Sequence, residues 1–106
     1  MTDGIIVLIT ASSEQEASLI ATALVDEHLA ACVNLIAPVR SLFFWQGKTQ
    51  DAQEVLLLCK SRKPLMERLC ARVKSLHSYT VPEIIALPII AGSPDYLSWL
   101  HDNAKD

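Results

Sequence analysis

The chain has only three glycines and no glycine-rich loop ahead of a helix, which leaves out a phosphate-cradling P-loop or a dinucleotide fingerprint. It has no CxxC unit. Cys32, Cys59 and Cys70 stand far apart, cannot all pair, and read as free, mostly buried thiols in a reducing compartment. No apolar run approaches the roughly 18–20 residues of a membrane span, since Gly4 to Ile9 is followed at once by Thr10 and a polar helix start. The opening Met1-Thr2-Asp3 is acidic where a secretory signal carries positive charge. Lys and Arg are scattered, and a net charge of −3 offers no basic stripe to a nucleic-acid backbone. These absences lead to the expectation of a cytoplasmic protein with neither a membrane nor a nucleic acid as partner.

What is present is hydrophobic: 51% of the 106 residues are apolar and 20% charged, the balance of one globular domain spanning residues 1–106. Gly4 to Ile9 is β-branched and suits a strand buried on both faces. Ser12 and Ser13, each three residues before Gln15 and Glu16, are overlapping capping-box candidates for a helix over 13–28. Ala17, Ile20, Ala21, Leu24 and Val25 recur along its apolar side. Ala31 to Ile36 is a second strand, which Pro38 bends or interrupts. Ser61 to Pro64 opens a second helix whose apolar stripe is Met66, Leu69, Cys70 and Val73. A loop over 76–82 leads to an extended run from Glu83 to Ile90, and Ser93-Pro94 opens a short terminal helix.

The order strand, helix, strand, strand, helix, strand is the double split βαβ pattern of an α+β, ferredoxin-like (βαββαβ) sandwich with an extra C-terminal helix. Right-handed crossovers put both main helices on one face of a four-stranded antiparallel sheet and leave the other face open. Between them, Val39 to Lys60 reads as a long central hairpin about the turn Gln46-Gly47-Lys48. Thr49 to Lys60 alone would extend about 40 Å, and Gly4 to Ile9 about 20 Å, so on the order of half the hairpin overhangs. Three of the six aromatic residues, Phe43, Phe44 and Trp45, sit near its tip. A lone two-stranded ribbon is marginal in water, so it either curls over its own sheet or packs on further copies of the chain.

Chemistry gathers in the loop before the last strand, where His77, Tyr79 and Glu83 offer an imidazole, a phenol and a carboxylate. They could hold a metal or a small anion, act catalytically, or cap the helix and form a subunit contact; their spacing matches no specific ligand signature. Cys32 with His77 would suit Cu(I) or Zn, yet the topology places Cys32 near the opposite end of the sheet, so that only a neighbouring subunit could supply it. Cys59 and Cys70 read as core. No nucleophile and base can be paired, and an enzyme is not expected.

Leu29-Ala-Ala-Cys-Val-Asn-Leu-Ile36, Trp45-Gln-Gly-Lys48, Lys74-Ser-Leu-His-Ser-Tyr79, Val81-Pro-Glu-Ile-Ile-Ala-Leu-Pro88 and Asp95-Tyr-Leu-Ser-Trp-Leu100 together resemble the CutA family of divalent-cation tolerance proteins over nearly the whole chain. The resemblance implies a ferredoxin-like subunit in a tight homotrimer locked by the hairpins, similar in architecture to the PII signalling proteins. It implies a role in tolerance of, or response to, divalent metals, with copper or another divalent cation as the bound species and no cofactor required. It also implies a ligand cleft at Trp45, Lys60, His77, Tyr79 and Glu83, with Cys32 and His77 as metal ligands. Some members carry further donors where this chain has Ile9 and Leu76, and a proline where it has Ser78. The alternative is a PII-like regulatory or adaptor trimer that binds a small anion or a protein partner without metal.

Overall fold

In the computed structural model, which describes residues 3–105, four antiparallel strands lie in the order β2-β3-β1-β4 with both main helices on one face. Met1 and Thr2 of the acidic opening lie outside the described residues. The elements are β1 (Gly4–Ala11), α1 (Glu14–Asp26), β2 (Cys32–Trp45), β3 (Lys48–Arg62), a 3₁₀ turn (Lys63–Leu65), α2 (Met66–Leu76), β4 (Ile84–Pro88) and α3 (Pro94–Asn103). This is the ferredoxin-like α+β arrangement expected from the element order.

Alternation along the strands builds the core. Ile5, Val7, Ile9 and Ala11 of β1 and Val55, Leu57 and Cys59 of β3 point to the helices and are buried. Ala17, Ile20 and Leu24 of α1 and Leu69 and Val73 of α2 cover them. Small alanines on α1 let its backbone lie close to the sheet, and each buried Leu or Ile contributes roughly 1.5–3 kcal/mol relative to exposure. α1 begins at Ser13, whose hydroxyl accepts the Glu16 N–H at 3.1 Å. Of the two capping candidates the chain uses this one, while the Glu16 carboxylate reaches one residue further back, to the Ser12 N–H at 3.2 Å.

Several boundaries differ from the sequence expectation: α1 stops at Asp26 and β4 spans only Ile84–Pro88. Ser61 does not open the second helix: it is the penultimate residue of β3, opposite Ile5, with its buried hydroxyl donating to the Leu29 carbonyl at 2.6 Å. Pro64 in the first turn did mark the helical start, but three residues later than Ser61, because the β ladder to β1 persists through Arg62. Pro38 interrupts its strand, as expected, without ending it. β2 runs through it with a register shift between Ile36 and Val39, a bulge that β2 tolerates as an edge strand where a missing N–H breaks no second ladder.

The hairpin overhangs as its length demanded. β1 pairs β3 only from Val55 to Arg62, so Lys48 to Glu54 pairs with β2 alone. At about 3.3 Å per residue this ribbon projects roughly 23 Å beyond the sheet. It closes through Gln46 (φ 52) and Gly47 (φ 80), the two consecutive positive-φ residues that a type I′ turn needs to match strand twist. The ribbon does not curl back, and the protomer measures 44 × 25 × 22 Å with a radius of gyration of 14.1 Å, against about 13 Å for a compact chain of this length.

The sheet face away from the helices carries Ile6 and Leu8 of β1, Leu56 and Leu58 of β3, and Ile85 and Leu87 of β4. On it Ile85 and Leu87 are each 52% exposed, while Ile6, Leu8, Leu56 and Leu58 are partly buried. Among the described residues no helix is long and apolar enough to cross a membrane.

Candidate functional site at the root of the ribbon

Where the ribbon leaves the sheet, the end of β1, the start of α1 and the segment between α2 and β4 converge, and His77 stands at their junction. It is the residue that ends α2, its N–H donating to the Val73 carbonyl at 2.9 Å. Its side chain is fully buried. Ring Nε2 donates to the Thr10 carbonyl at 2.7 Å, and Nδ1 accepts the Tyr79 N–H at 3.0 Å. A carbonyl can only accept and a backbone N–H can only donate, so the two partners assign the hydrogen to Nε2 and occupy both ring nitrogens. The Glu16 carboxylate is 3.7 Å from Nδ1 and takes the Ser78 N–H at 3.1 Å. Burial alone would raise the Glu16 pKa, but the hydrogen bonds from Ser78 and Ser12, with His77 nearby, outweigh it and lower the pKa below the usual glutamate value.

Tyr79 extends from this junction toward the ribbon. Its ring lies 4.7 Å from the imidazole, centre to centre, and its hydroxyl donates to Glu54 Oε2 at 2.7 Å. Burial, reinforced by that carboxylate, pushes the phenol up to about 12. Glu54 is only 6% exposed, the one charged side chain among the buried positions of the described residues. Sequence reasoning missed it. The available signal was a lone carboxylate heading the apolar run Val55-Leu-Leu-Leu-Cys59, a position that a buried acid holds only with a hydrogen-bond donor beside it.

Tyr79 and Glu54 form the floor of an open cleft of about 770 Å³, with Trp45 and Arg40 on the ribbon side and Thr10 and Glu83 on the sheet side. Arg40 is held by Asp51 across the ribbon in a bidentate pair at 3.0 and 2.7 Å. The cleft therefore offers an aromatic wall, a phenol, two carboxylates and a paired guanidinium.

Of the expected cleft residues, Trp45, Tyr79 and Glu83 line it and His77 supports it from behind. Lys60 does not line it within a single chain. Strand register places Lys60 opposite Ile6 and Cys32, four residues along from the Thr10 and Leu56 rung, about 13 Å away. There its ammonium donates to the Asn34 side-chain oxygen. Cys32, partly buried, lies beside Lys60 at that far end, as the topology anticipated. Cys59 is buried in the core, which pushes its thiol up to about 12 and keeps it unreactive.

Metal donors can be tested against this geometry. Among the described residues no three His, Cys, Asp or Glu side chains come together as a metal site. His77 has no free lone pair while its two hydrogen bonds stand. Ile9 and Leu76 are apolar and packed on the core. The residues of one protomer do not fit a resident copper or zinc ion.

The family model for the CutA1 divalent ion tolerance protein matches residues 5–103. The chain belongs to the CutA1 family. It is 52% identical over 98 residues to the divalent-cation tolerance protein CutA of Thermus thermophilus, covering 92% of this chain and 95% of that one. The solved structure of the Thermus thermophilus protein superposes with a TM-score of 0.94 at 50% identity, covering 96% and 99% of the two chains. The CutA of Archaeoglobus fulgidus, described as periplasmic, superposes with a TM-score of 0.93 at 38% identity, covering 96% and 99%. The chloroplastic CutA protein of Arabidopsis thaliana is 41% identical over 103 residues, covering 97% of this chain but 57% of the longer plant protein.

These relatives correct the expected location. CutA1 proteins described as periplasmic and chloroplastic conflict with a cytoplasmic assignment drawn from free thiols and an acidic start. Three unpaired cysteines, one of them locked in the core, are compatible with more than one compartment. The family is described by divalent-cation tolerance and not by a reaction.

Proposed function

We propose that this CutA1-family chain serves divalent-cation tolerance as a homotrimer, with copper or another divalent cation bound between subunits and not within one. The uncovered sheet face carries this reading: Ile6, Leu8, Leu56, Leu58, Ile85 and Leu87 form a continuous apolar surface flanked by a projecting ribbon. An exposed patch of that kind marks an association surface, and a protruding arm beside it suits exchange between copies of one chain. Cys32 lies on this same face, so association brings its thiol to a neighbour. A soft thiolate from one subunit completed by donors from another would suit Cu(I) or Zn(II).

Sedimentation velocity and isothermal titration calorimetry test the two halves. A single species of three-chain mass, with Cu(I) or Zn(II) heats that fall at least tenfold in Cys32→Ser, is the expected result. A monomer at micromolar concentration would overturn the assembly, and unchanged heats in Cys32→Ser would overturn the donor.

A second reading, a PII-like regulatory or adaptor trimer binding a small anion or a protein partner, is favoured by the cleft at the ribbon root. That cleft is lined by Trp45, Tyr79 and Glu83 and contains neither Cys32 nor a free imidazole nitrogen. Native mass spectrometry of the purified chain would support it by a retained small molecule or partner, and bare chains alone would count against it.

A further inference from the structure

We infer that His77 is a positioning residue and not a metal ligand: it clasps the segment between α2 and β4 to the end of β1 and so sets the Tyr79 hydroxyl on Glu54, fixing the floor of the ribbon cleft. This rests on the cleft as a binding surface but not on any metal being bound.

Four observations converge on the imidazole. It is fully buried, which suits a fixed structural link and denies an ion easy entry. Its Nε2 hydrogen bond to Thr10 spans 67 positions of sequence and anchors the ring to the sheet. Its Nδ1 takes the N–H of Tyr79, two residues on, which fixes the backbone from which the phenol projects. The two rings pack at 4.7 Å, and the phenol beyond them meets Glu54 at 2.7 Å. A metal on Nδ1 would have to evict the Tyr79 N–H, and a metal on Nε2 would have to evict the ring from Thr10. Either event breaks one of the two hydrogen bonds through which His77 links Tyr79 to the end of β1. The Glu16 carboxylate from α1, which faces the ring, is already engaged by Ser12 and Ser78.

The test uses the full chain in a Trp99→Phe background, so that Trp45 on the cleft wall is the sole indole, with His77→Ala, His77→Gln, Tyr79→Phe and the His77→Ala/Tyr79→Phe double variant. The expected result is a shift of Trp45 emission in His77→Ala that Tyr79→Phe reproduces and the double variant does not enlarge, because both act through one link. His77→Gln, whose amide can donate toward Thr10 and accept from Tyr79, should restore at least half of it. Calorimetry with CuCl₂ and ZnCl₂ should give affinities within threefold of one another for wild type and His77→Ala. Fully additive emission shifts would overturn the inference, as would a tenfold or greater loss of metal affinity in His77→Ala with Trp45 emission unchanged. Absence of metal heats in both proteins would leave His77 a positioning residue while removing the metal half of the proposed function. His77→Gln and Tyr79→Phe keep the test decisive should the alanine variant unfold.

Discussion

The Tyr79 hydroxyl and the Glu54 carboxylate meet at 2.7 Å across 25 residues of sequence, joining the loop before β4 to the strand that becomes the ribbon. The phenol must stay protonated for this bond to exist, because a phenolate would face the carboxylate with like charge. Its folded pKa, about 12, lies above the ordinary value of 10.0. A raised pKa makes its stabilising contribution complete below the unfolded value and removes it as pH climbs through the folded one. Stability should therefore decline between about pH 10 and pH 12, and Glu54→Gln should move the tyrosinate absorbance transition of Tyr79 downward. Ultraviolet titration of wild type against Glu54→Gln reads this directly.

Glu16 gives the opposite sign at the acid end. Its folded pKa lies below the ordinary 4.5, so its contribution is present above that value and lost as pH falls through the folded one. Glu16→Gln should cost about 1 kcal/mol at neutral pH, the scale of a lost helix-start hydrogen bond, and flatten the acid limb of stability below pH 4.5. Urea midpoints measured from pH 3 to pH 7 would decide it, and parallel curves for the two proteins would contradict it.

Ser61 is the next. Its hydroxyl is the partner of the buried Leu29 carbonyl, which ties the α1–β2 connection to the middle of the sheet. Ser61→Ala keeps the shape but strands the carbonyl, and should cost roughly 1–3 kcal/mol in chemical denaturation. Loss of less than half a kcal/mol would mean that water takes the vacated place.

Ile85→Glu with Leu87→Glu charges the uncovered face at an edge strand without touching the core. If that face joins copies of the chain, the pair should leave the circular dichroism spectrum intact and convert the three-chain species to a single chain in sedimentation. Retained assembly would locate the interface elsewhere.

Leu57→Ala, by contrast, empties a fully buried position between the sheet and both helices. A loss of about 2–5 kcal/mol is expected from transfer and cavity terms together.

These sites differ in how readable they were from the chain alone. The element order and the Ser13 cap are local patterns, so the ferredoxin-like order followed from them; β1 and the late half of β3 are unbroken apolar runs that read as buried on both faces, and only the structure shows which face meets the helices. The overhang was legible as well, because strand length per residue is nearly constant. The start of α2 was misjudged because Pro64 is visible in sequence while the ladder partner of Ser61, Ile5, is not. Lys60 was carried to the cleft by family resemblance, and only the register, which no local pattern states, puts it four residues away. Glu54 escaped because its burial is made by a phenol from another segment, and nothing near it in the chain announces that donor.

Arg62 grips both extremities of the described chain: it binds the Asp3 carboxylate at 2.7 Å and the Ala104 carbonyl at 3.2 Å, while the Lys63 N–H holds the Asp3 carbonyl. This clasp sits at the end of β3 away from the ribbon, about eight residues or roughly 25 Å from Glu54. A fluorophore or a surface tether attached through a cysteine substituted at an exposed position next to Asp3 or Ala104 is thereby held at the pole opposite the cleft. The molecule comes with its own mounting point, which presents the ribbon and its aromatic tip to whatever is flowed across it.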